Sequence, residues 1–266
     1  MRPIHPGIAT LLIMAAFAPL HAQTGPDALT PGQIALACAP APAAEPPDQA
    51  PRLLGAQDTL LHTLLAPQDL LVVGGGTQAG LQLGQQFFIR RPPSAYTGRA
   101  GGAYMGRASG PTPSTTAGWL RIVALNETTA IGAVEHVCGA IFRGDVLVPF
   151  QAPSVPADAD DDAAGELDFT SLARVLAAPE NHVSAAPGEY VVIDRGRDHG
   201  IEAGARLAIY RDLRAPGMPL AALGEAIVMS SGTSAAVIRI TRARDAVLTG
   251  DYLVPRKKFR IQNSEF

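Results

Sequence analysis

The sequence contains one unit that is present twice. The stretch APQDLLVVGGGTQAGLQLGQQFFIRR (residues 66–91) aligns without a gap with APGEYVVIDRGRDHGIEAGARLAIYR (residues 186–211), at a constant offset of 120 residues. Further along, the segment from Gly118 to GDVLVP aligns with the segment from Gly224 to GDYLVP at an offset of 106 residues. A repeat of this kind is the signature of a repeated structural unit, so we expect two similar small domains.

Each copy has the pattern of a small all-β domain. Runs such as LLVVG, QQFFIRR, YVVID and RLAIYR are rich in β-branched and aromatic residues and are bounded by glycine or proline. About five or six such strands per copy must curl to bury one face and protect their edges. We therefore predict an all-β protein with two tandem small β-barrel, or sandwich-like, repeats joined by an acidic Pro/Ala-rich linker.

The repeat and the composition around it give the expected segment boundaries. They are a signal peptide at 1–22, a Pro/Ala-rich N-terminal segment at 23–51, the first barrel repeat at 52–150, the linker at 151–173, the second barrel repeat at 174–256 and a C-terminal tail at 257–266. The linker contains a run of aspartates, but it lacks the glycine and glutamate that an EF-hand calcium loop requires. We interpret this run as solvated.

The N-terminus has the pattern of a secretory signal. Arg2 precedes an apolar run from Ile8 to Leu20, and the small residue Ala22 follows at a position suited to cleavage. A helix of this length reaches about 20 Å, whereas a hydrocarbon core is about 30 Å thick. We therefore predict cleavage after Ala22 and a periplasmic or secreted protein without a membrane span. Acylation of Cys38, in ALAC, is the alternative, although a polar stretch separates Cys38 from the apolar run.

Two cysteines, Cys38 and Cys138, are present in the chain. An even number in an oxidising compartment favours a disulfide, and closing so long a loop would contribute about 4.7 kcal/mol in the chain-entropy model. Two unpaired thiols are the alternative. His136 is close to Cys138 in sequence, but a metal site requires three or four ligands, so we expect neither a metal nor a cofactor.

The motif DRGRDHGIEAG (residues 194–204) combines carboxylates, basic groups and glycines. Its counterpart, GGGTQAGLQLG, lacks the acidic and basic groups but keeps the glycines. The recurring positions are Gly76, Gly80, Gly84, Gly196, Gly200 and Gly204. Because the conformation recurs and the chemistry does not, we interpret the motif as a turn framework with positive φ angles and a tight crossing. It matches neither a dinucleotide-binding fingerprint nor a P-loop.

Two hairpins are the expected contact surfaces. The loop at residues 92–118 is rich in Gly, Pro, Ser and Thr, which is typical of a surface loop. Tyr96 and Tyr104 in this loop, with Trp119 just after it, are the candidate contact residues. The alternatives are that the loop is only a tolerated hairpin extension and that Trp119 packs in the core or covers the barrel end. The shorter hairpin DLRAPGMPL (residues 212–220) is the equivalent surface of the second copy.

The order of motifs in the second copy resembles a known family. It reads D-x-G-x-x-x-G-I-x-x-G-x-x-x-x-I-Y-R, then G-E-A-I-V, A-A-V-I-R-I and G-D-Y-L-V-P-R. This order resembles the C-terminal domain of flagellar assembly protein T and related envelope modules, which often accompany LysM domains. It is more loosely similar to the barrel repeats of rod-shape-determining protein C. No LysM segment is visible in this sequence.

The resemblance implies a noncatalytic binding or scaffold role in the cell envelope, with an envelope protein or peptidoglycan as partner and no cofactor. The net charge of −3 excludes the strong basic footprint of a nucleic-acid-binding protein. The oligomeric state is left open.

A periplasmic carbohydrate-active hydrolase is the alternative function. It requires Asp194 or Asp198, with His199 nearby, to face Asp251 across a cleft. The two carboxyl groups would then lie about 5 Å apart or about 6.5–9.5 Å apart.

Overall fold

The computed structural model describes residues 29–42, 49–58, 65–92, 113–157, 166–177 and 184–257. The predicted signal peptide, Tyr96, Tyr104 and the run of aspartates in the linker lie outside the described residues. The described part of the chain consists mostly of antiparallel strands, and its one α-helix is α1 (Pro31–Ala37). The predicted all-β class is therefore confirmed.

The first repeat folds into one six-stranded antiparallel sheet, called barrel 1 below. Its strands are β1 (Leu53–Ala56), β2 (Leu70–Gly74), β3 (Gln86–Arg91), β4 (Thr115–Leu125), β5 (Thr129–Val137) and β6 (Val146–Pro149). They pair in the order β1-β2-β5-β4-β3-β6. The sheet curls until its two ends meet, where Leu53 N donates to the Asp145 carbonyl (2.9 Å) and Leu147 N donates to the Pro51 carbonyl (2.8 Å).

The second repeat forms a closed ring of six strands with the same order, called barrel 2. The strands in this part of the chain are β7 (Glu166–Leu167), β8 (Ala173–Ala177), β9 (Ser184–Ala185), β10 (Tyr190–Ile193), β11 (Arg206–Arg211), β12 (Ala221–Ser231), β13 (Ala236–Ala243), β14 (Val247–Leu248) and β15 (Tyr252–Lys257). The order is β8-β10-β13-β12-β11-β15, and β15 pairs with both β11 and β8, which closes the ring. The short β7 extends β15, and β9 pairs with β14.

Both barrels bend at aligned positions. The pairing of β3 with β4 shifts register between Ile89 and Arg90, and the pairing of β11 with β12 shifts between Ile209 and Tyr210. Bulges increase local twist and let a short sheet turn on itself. A side chain at Gly224, in β12, would place its Cβ 2.8 Å from the Cα of Ala243 on the neighbouring strand. Glycine is therefore required where these strands approach most closely.

Each barrel has its own apolar interior. Burial alternates along β5, where Ala130 and Val134 face inward, as expected for a strand with one buried face. The largest fully buried interior side chains are Leu71, Ile89, Leu120, Ile122 and Leu147 in barrel 1 and Ile193, Ile201, Leu207, Ile209 and Ile238 in barrel 2. Each such burial contributes about 1.5–3 kcal/mol, so both barrels have a core of their own.

Helix α1 begins with strong local signals. Thr30 Oγ1 accepts from Gln33 N (3.3 Å), and Gln33 Oε1 accepts from Thr30 N (3.0 Å), which forms a capping box. Pro31 occupies the first turn, where its missing amide hydrogen has no cost. An isolated helix of this length is unstable in water, so its stability comes from its packing.

Helix α1 lies between the two barrels and contacts both. Leu36 packs on the outer face of barrel 2, against side chains of β10, β12 and β13. Ala37 packs on the outer face of barrel 1, against Phe88 of β3 and Trp119 of β4. This segment was predicted only as Pro/Ala-rich, and the helix within it joins the two domains.

A disulfide attaches the end of this helix to barrel 1. Cys38 caps α1 at its C-terminus and is bonded to Cys138, just after β5, with the two Cα atoms 5.3 Å apart. The predicted pairing is therefore confirmed, and no free cysteine remains.

The start of the linker packs on the same helix. Gln33 Nε2 donates to the carbonyl of Pro153 (3.1 Å), and Val155 packs with Leu36 on barrel 2. Residues 151–157 therefore follow a fixed path from barrel 1 to the helix. No helix in the described ranges is long and apolar enough to cross a membrane.

The first prediction concerns the disulfide. Replacing both cysteines by serine (Cys38→Ser with Cys138→Ser) should lower the free energy of unfolding by about 2–4 kcal/mol, because the bond closes a long loop in the unfolded chain. Guanidinium titration of residues 23–266, the mature chain expected after signal cleavage, measures this change. Dithiothreitol should destabilise the natural protein and leave the double variant unaffected. Equal stability of the two proteins without reductant would contradict the prediction.

Candidate functional site

A groove runs between the two barrels beside α1. Its volume is about 660 Å³, within the range of about 300–1,000 Å³ typical of ligand sites. We call it the inter-barrel groove. Representative lining residues are Leu36 and Ala39 from the α1 region, Phe88 and Arg90 from barrel 1, and Met229 and Ser230 from barrel 2. The linker start, residues 151–157, completes the wall.

Arg90 is the one charged residue among the described residues that line the groove. Its guanidinium lies over the ring of Phe88, with 4.4 Å between the Arg90 Cζ and the ring centroid. Nη1 donates to the hydroxyl of Thr116, which in turn donates to the carbonyl of Ala39 (2.8 Å). Arg90 therefore belongs to a network that joins barrel 1 to the segment after α1.

Burial affects the ionisation of this arginine. The loss of hydration lowers the pKa of Arg90 to about 10, because a partly buried site disfavours the charged form. The group remains protonated at neutral pH. The groove thus carries one positive charge against largely apolar walls.

The next residue along the chain, Arg91, has a different role. Arg91 Nε and Nη2 donate to the two carboxylate oxygens of Asp145, each at 3.1 Å. In barrel 2, Arg211 makes the same bidentate contact with Asp251, at 2.9 and 2.8 Å. Hydrogen bonding to Asp251 raises the pKa of Arg211.

These two ion pairs are part of the repeated framework. Asp145 and Asp251 are the only buried charged residues in the described part of the chain. Asp251 also accepts from Leu248 N (2.8 Å), and Asp145 accepts from Phe142 N (2.9 Å), so each aspartate closes its own turn. In each barrel the aspartate therefore joins the turn before the last strand to the arginine at the end of a central strand. The pairs are Asp145 with Arg91 in barrel 1 and Asp251 with Arg211 in barrel 2.

The motif DRGRDHGIEAG (residues 194–204) forms a turn in which the glycines have two different roles. Gly200 has a φ angle of 71°, and its counterpart Gly80 has a φ angle of 78°. Gly196 has a negative φ angle, but a Cβ there would lie 2.5 Å from the carbonyl oxygen of Gly232. Gly84 and Gly204 also have positive φ angles, whereas Gly76, like Gly196, allows a close backbone crossing.

The ionisable groups of this motif have structural or exposed positions. Asp194 Oδ1 accepts from the backbone amide of Arg174 (2.7 Å). Asp198 and His199 are exposed on a single 3-10 turn, Arg197–His199. Asp251 is held by Arg211. Each carboxylate that the hydrolase alternative requires therefore has a structural contact or points to solvent.

The structure also places the aromatic candidate from the sequence. Trp119 is 6% exposed and packs beneath α1. Its ring stacks on His136, with centroids 4.4 Å apart, and lies 5.5 Å from the ring of Phe150. It therefore forms part of the contact between α1 and barrel 1.

His136 lies beside the disulfide. Its nitrogen and the sulfur atoms of Cys38 and Cys138 lie within 4.8 Å of one another, a grouping with the composition of a metal site. The two sulfur atoms are bonded to each other, so neither is a thiolate ligand in this state.

The hairpin at residues 212–220 exposes two large apolar side chains. Leu213 is 54% exposed and Met218 is 61% exposed. Asp212 Oδ1 accepts from Arg214 N (2.7 Å), and Arg214 itself has a φ angle of 55°. The turn therefore has a defined shape that presents both apolar side chains to solvent.

Sequence reasoning missed both α1 and Arg90. A signal for Arg90 was present, because the repeat aligns it with Tyr210 and aligns Thr116 with Ala222. A cation and its hydroxyl partner found in one copy alone indicate a role outside the shared framework.

The second prediction concerns the paired aspartates. Asp251→Asn should lower the free energy of unfolding by about 3 kcal/mol, because it removes the buried counter-ion of the partly buried Arg211 and leaves only the exposed Asp245 beside it. Asp245→Asn is the matched control, since Asp245 contacts the same arginine (3.0 Å) but its side chain is 67% exposed. The control should cost less than about 1 kcal/mol. Urea titration of both variants measures the difference, and equal losses would contradict it.

The sequence matches no model of a known protein family, and it has no significant match among curated proteins. The resemblance to the flagellar assembly protein T domain therefore stays a prediction, and the geometry of the site is the basis of the functional conclusion.

Proposed function

We propose that this protein is an exported, noncatalytic binding or scaffold module of the cell envelope, with an envelope protein or peptidoglycan as its partner. The observation that supports this role most directly is the position of α1. The helix contacts both barrels and is bonded to one of them, so surfaces from both repeats are held at fixed positions. A scaffold requires that property.

Two features support a location outside the cytoplasm. The N-terminal sequence has the pattern of a secretory signal. The disulfide between Cys38 and Cys138 favours an oxidising compartment, because cytosolic thiols are kept reduced. A periplasmic location accounts for both features.

The positions of the ionisable groups support a role without catalysis. Asp145 and Asp251 are bound by arginines, and Asp194 caps a strand. Catalytic acids and bases are expected instead in a cleft, with pKa values matched to their task. The charged groups of the repeat thus support its framework.

The hairpin at residues 212–220 is the proposed contact surface on barrel 2. Leu213 and Met218 are both more than half exposed at its tip. Burial of these exposed apolar side chains under a partner would lower the free energy of the complex. We place the main partner contact there, with the longer loop of barrel 1, which carries Tyr96 and Tyr104, as the second contact.

The third prediction tests this surface. The mature chain should be retained on purified peptidoglycan or should co-purify with one envelope protein identified by mass spectrometry. The double variant Leu213→Asp with Met218→Asp should lower this retention by about tenfold or more, because each buried side chain of this size contributes about 1.5–3 kcal/mol. Replacing residues 95–110 by a short Gly-Ser linker tests the second contact.

The matched control is Leu83→Asp, because Leu83 is 65% exposed on barrel 1 and lies outside both hairpins. Its retention should equal that of the natural protein. No retention of the natural protein on either material, or equal loss in the control, would overturn the proposal.

A further inference from the structure

We propose that the inter-barrel groove binds the C-terminal carboxylate of an extended peptide, with Arg90 as the group that recognises the carboxylate. This assignment rests on the proposed binding role and names the ligand class of a site separate from the two hairpins. It follows from the partners of Arg90, from the polar groups in the groove and from the comparison of the two repeats.

Arg90 has hydrogen-bonding capacity that the protein does not use. An arginine side chain offers five N–H donors in a planar fork. Within the described ranges only Nη1 has a protein partner, the Thr116 hydroxyl, and no carboxylate pairs with this guanidinium. No buried side-chain nitrogen or oxygen in the described residues lacks a partner, so the unpartnered Nε and Nη2 are accessible to solvent on a residue that lines the groove.

A carboxylate matches this arrangement. The arginine fork donates two parallel hydrogen bonds to a carboxylate, and such charge-assisted bonds are shorter and stronger than neutral ones. The surrounding apolar walls strengthen the attraction, since the effective dielectric constant is lower than in water. Thr116 and Phe88 hold the guanidinium in place before the ligand arrives.

The other polar groups of the groove favour a peptide. Gln151, Ser154 and Ser230 line the groove, and their side chains make no hydrogen bond to other described residues. They are available to the backbone amides and carbonyls of a bound chain. The side chains that line the groove between them are small, with Ala39 and Ala203 among them. This leaves room for a peptide backbone and short side chains. A fatty acid would use Arg90 but none of these three groups.

The second repeat shows that the fold does not require this arrangement. The alignment places Tyr210 at the position of Arg90, whereas Arg211 repeats the structural role of Arg91. Barrel 2 closes without a cation at this position. The shared framework therefore does not require Arg90, which serves the groove side of barrel 1, where it also holds the segment after α1.

The experiment measures binding of tetra-alanine with a free C-terminus, and of its C-terminal amide, to the mature chain by isothermal titration calorimetry and by backbone amide NMR shifts. The free acid should bind at the groove, and the amide should bind at least about tenfold more weakly, because it lacks the charge that pairs with Arg90. Arg90→Met should remove the difference between acid and amide.

Two further variants make the result specific. Arg143→Met is the matched control, since it removes the same charge from an exposed site of barrel 1 outside the groove, and it should bind as the natural protein does. Ser230→Phe fills the groove from barrel 2 without changing Arg90, and it should abolish binding. This second variant keeps the test valid if Arg90→Met disturbs the packing of α1.

Three outcomes would overturn the assignment. They are no binding of tetra-alanine at millimolar concentration, equal binding of the acid and the amide, and Arg90-dependent binding of decanoate without binding of the peptide. The failures of the two proposals are distinguishable. If envelope retention depends on the hairpins while tetra-alanine does not bind, this assignment fails alone. Arg90-dependent peptide binding without any retention leaves the groove assigned and overturns the scaffold role.

Discussion

The packing of α1 between two barrels is the interaction on which the rest of the structure depends. Leu36 and Ala37 are adjacent in sequence, yet one packs on barrel 2 and the other on barrel 1. A helix this short has too little intrinsic stability to fold alone, so the barrels stabilise the helix and the helix connects the barrels. The Cys38–Cys138 disulfide fixes its end. The inter-barrel groove exists because this contact sets the separation of its walls.

The differences between the two repeats follow from this contact. Barrel 1 presents an aromatic cluster to α1, and the equivalent face of barrel 2 carries an ion-pair network in which Glu225 contacts Arg242 and Arg256, both at 2.9 Å. The aligned pairs are Trp119 with Glu225, His136 with Arg242 and Phe150 with Arg256. The barrels therefore dock through different faces. The face of barrel 2 on which a third repeat could dock in the same way is charged. Tandem arrays end in the same way, with a polar outer surface on the terminal unit.

Much of the fold could be predicted from the sequence, because the information was local or repeated. The strand runs and the glycine framework follow from periodicity and alignment, and the pairing of Cys38 with Cys138 was favoured by the even cysteine count and the expected oxidising compartment. The helix and the groove could not be predicted, because both depend on where one barrel lies relative to the other. Helix α1 was not predicted because it lies in a Pro/Ala-rich segment, although Thr30 and Gln33 have the pattern of a capping box. The alignment of Arg90 with Tyr210, a difference between the two repeats, was a signal in the sequence for the groove.

The most direct test of this account is whether the two barrels move as one body. Backbone ¹⁵N relaxation of the mature chain measures the rotational diffusion of each barrel separately. The account predicts one common correlation time and one diffusion tensor for strands β1–β6 and β8–β15, because α1 and the disulfide join them. Separate, shorter correlation times for the two barrels would show independent tumbling, and they would contradict the role of α1 and the existence of a fixed groove.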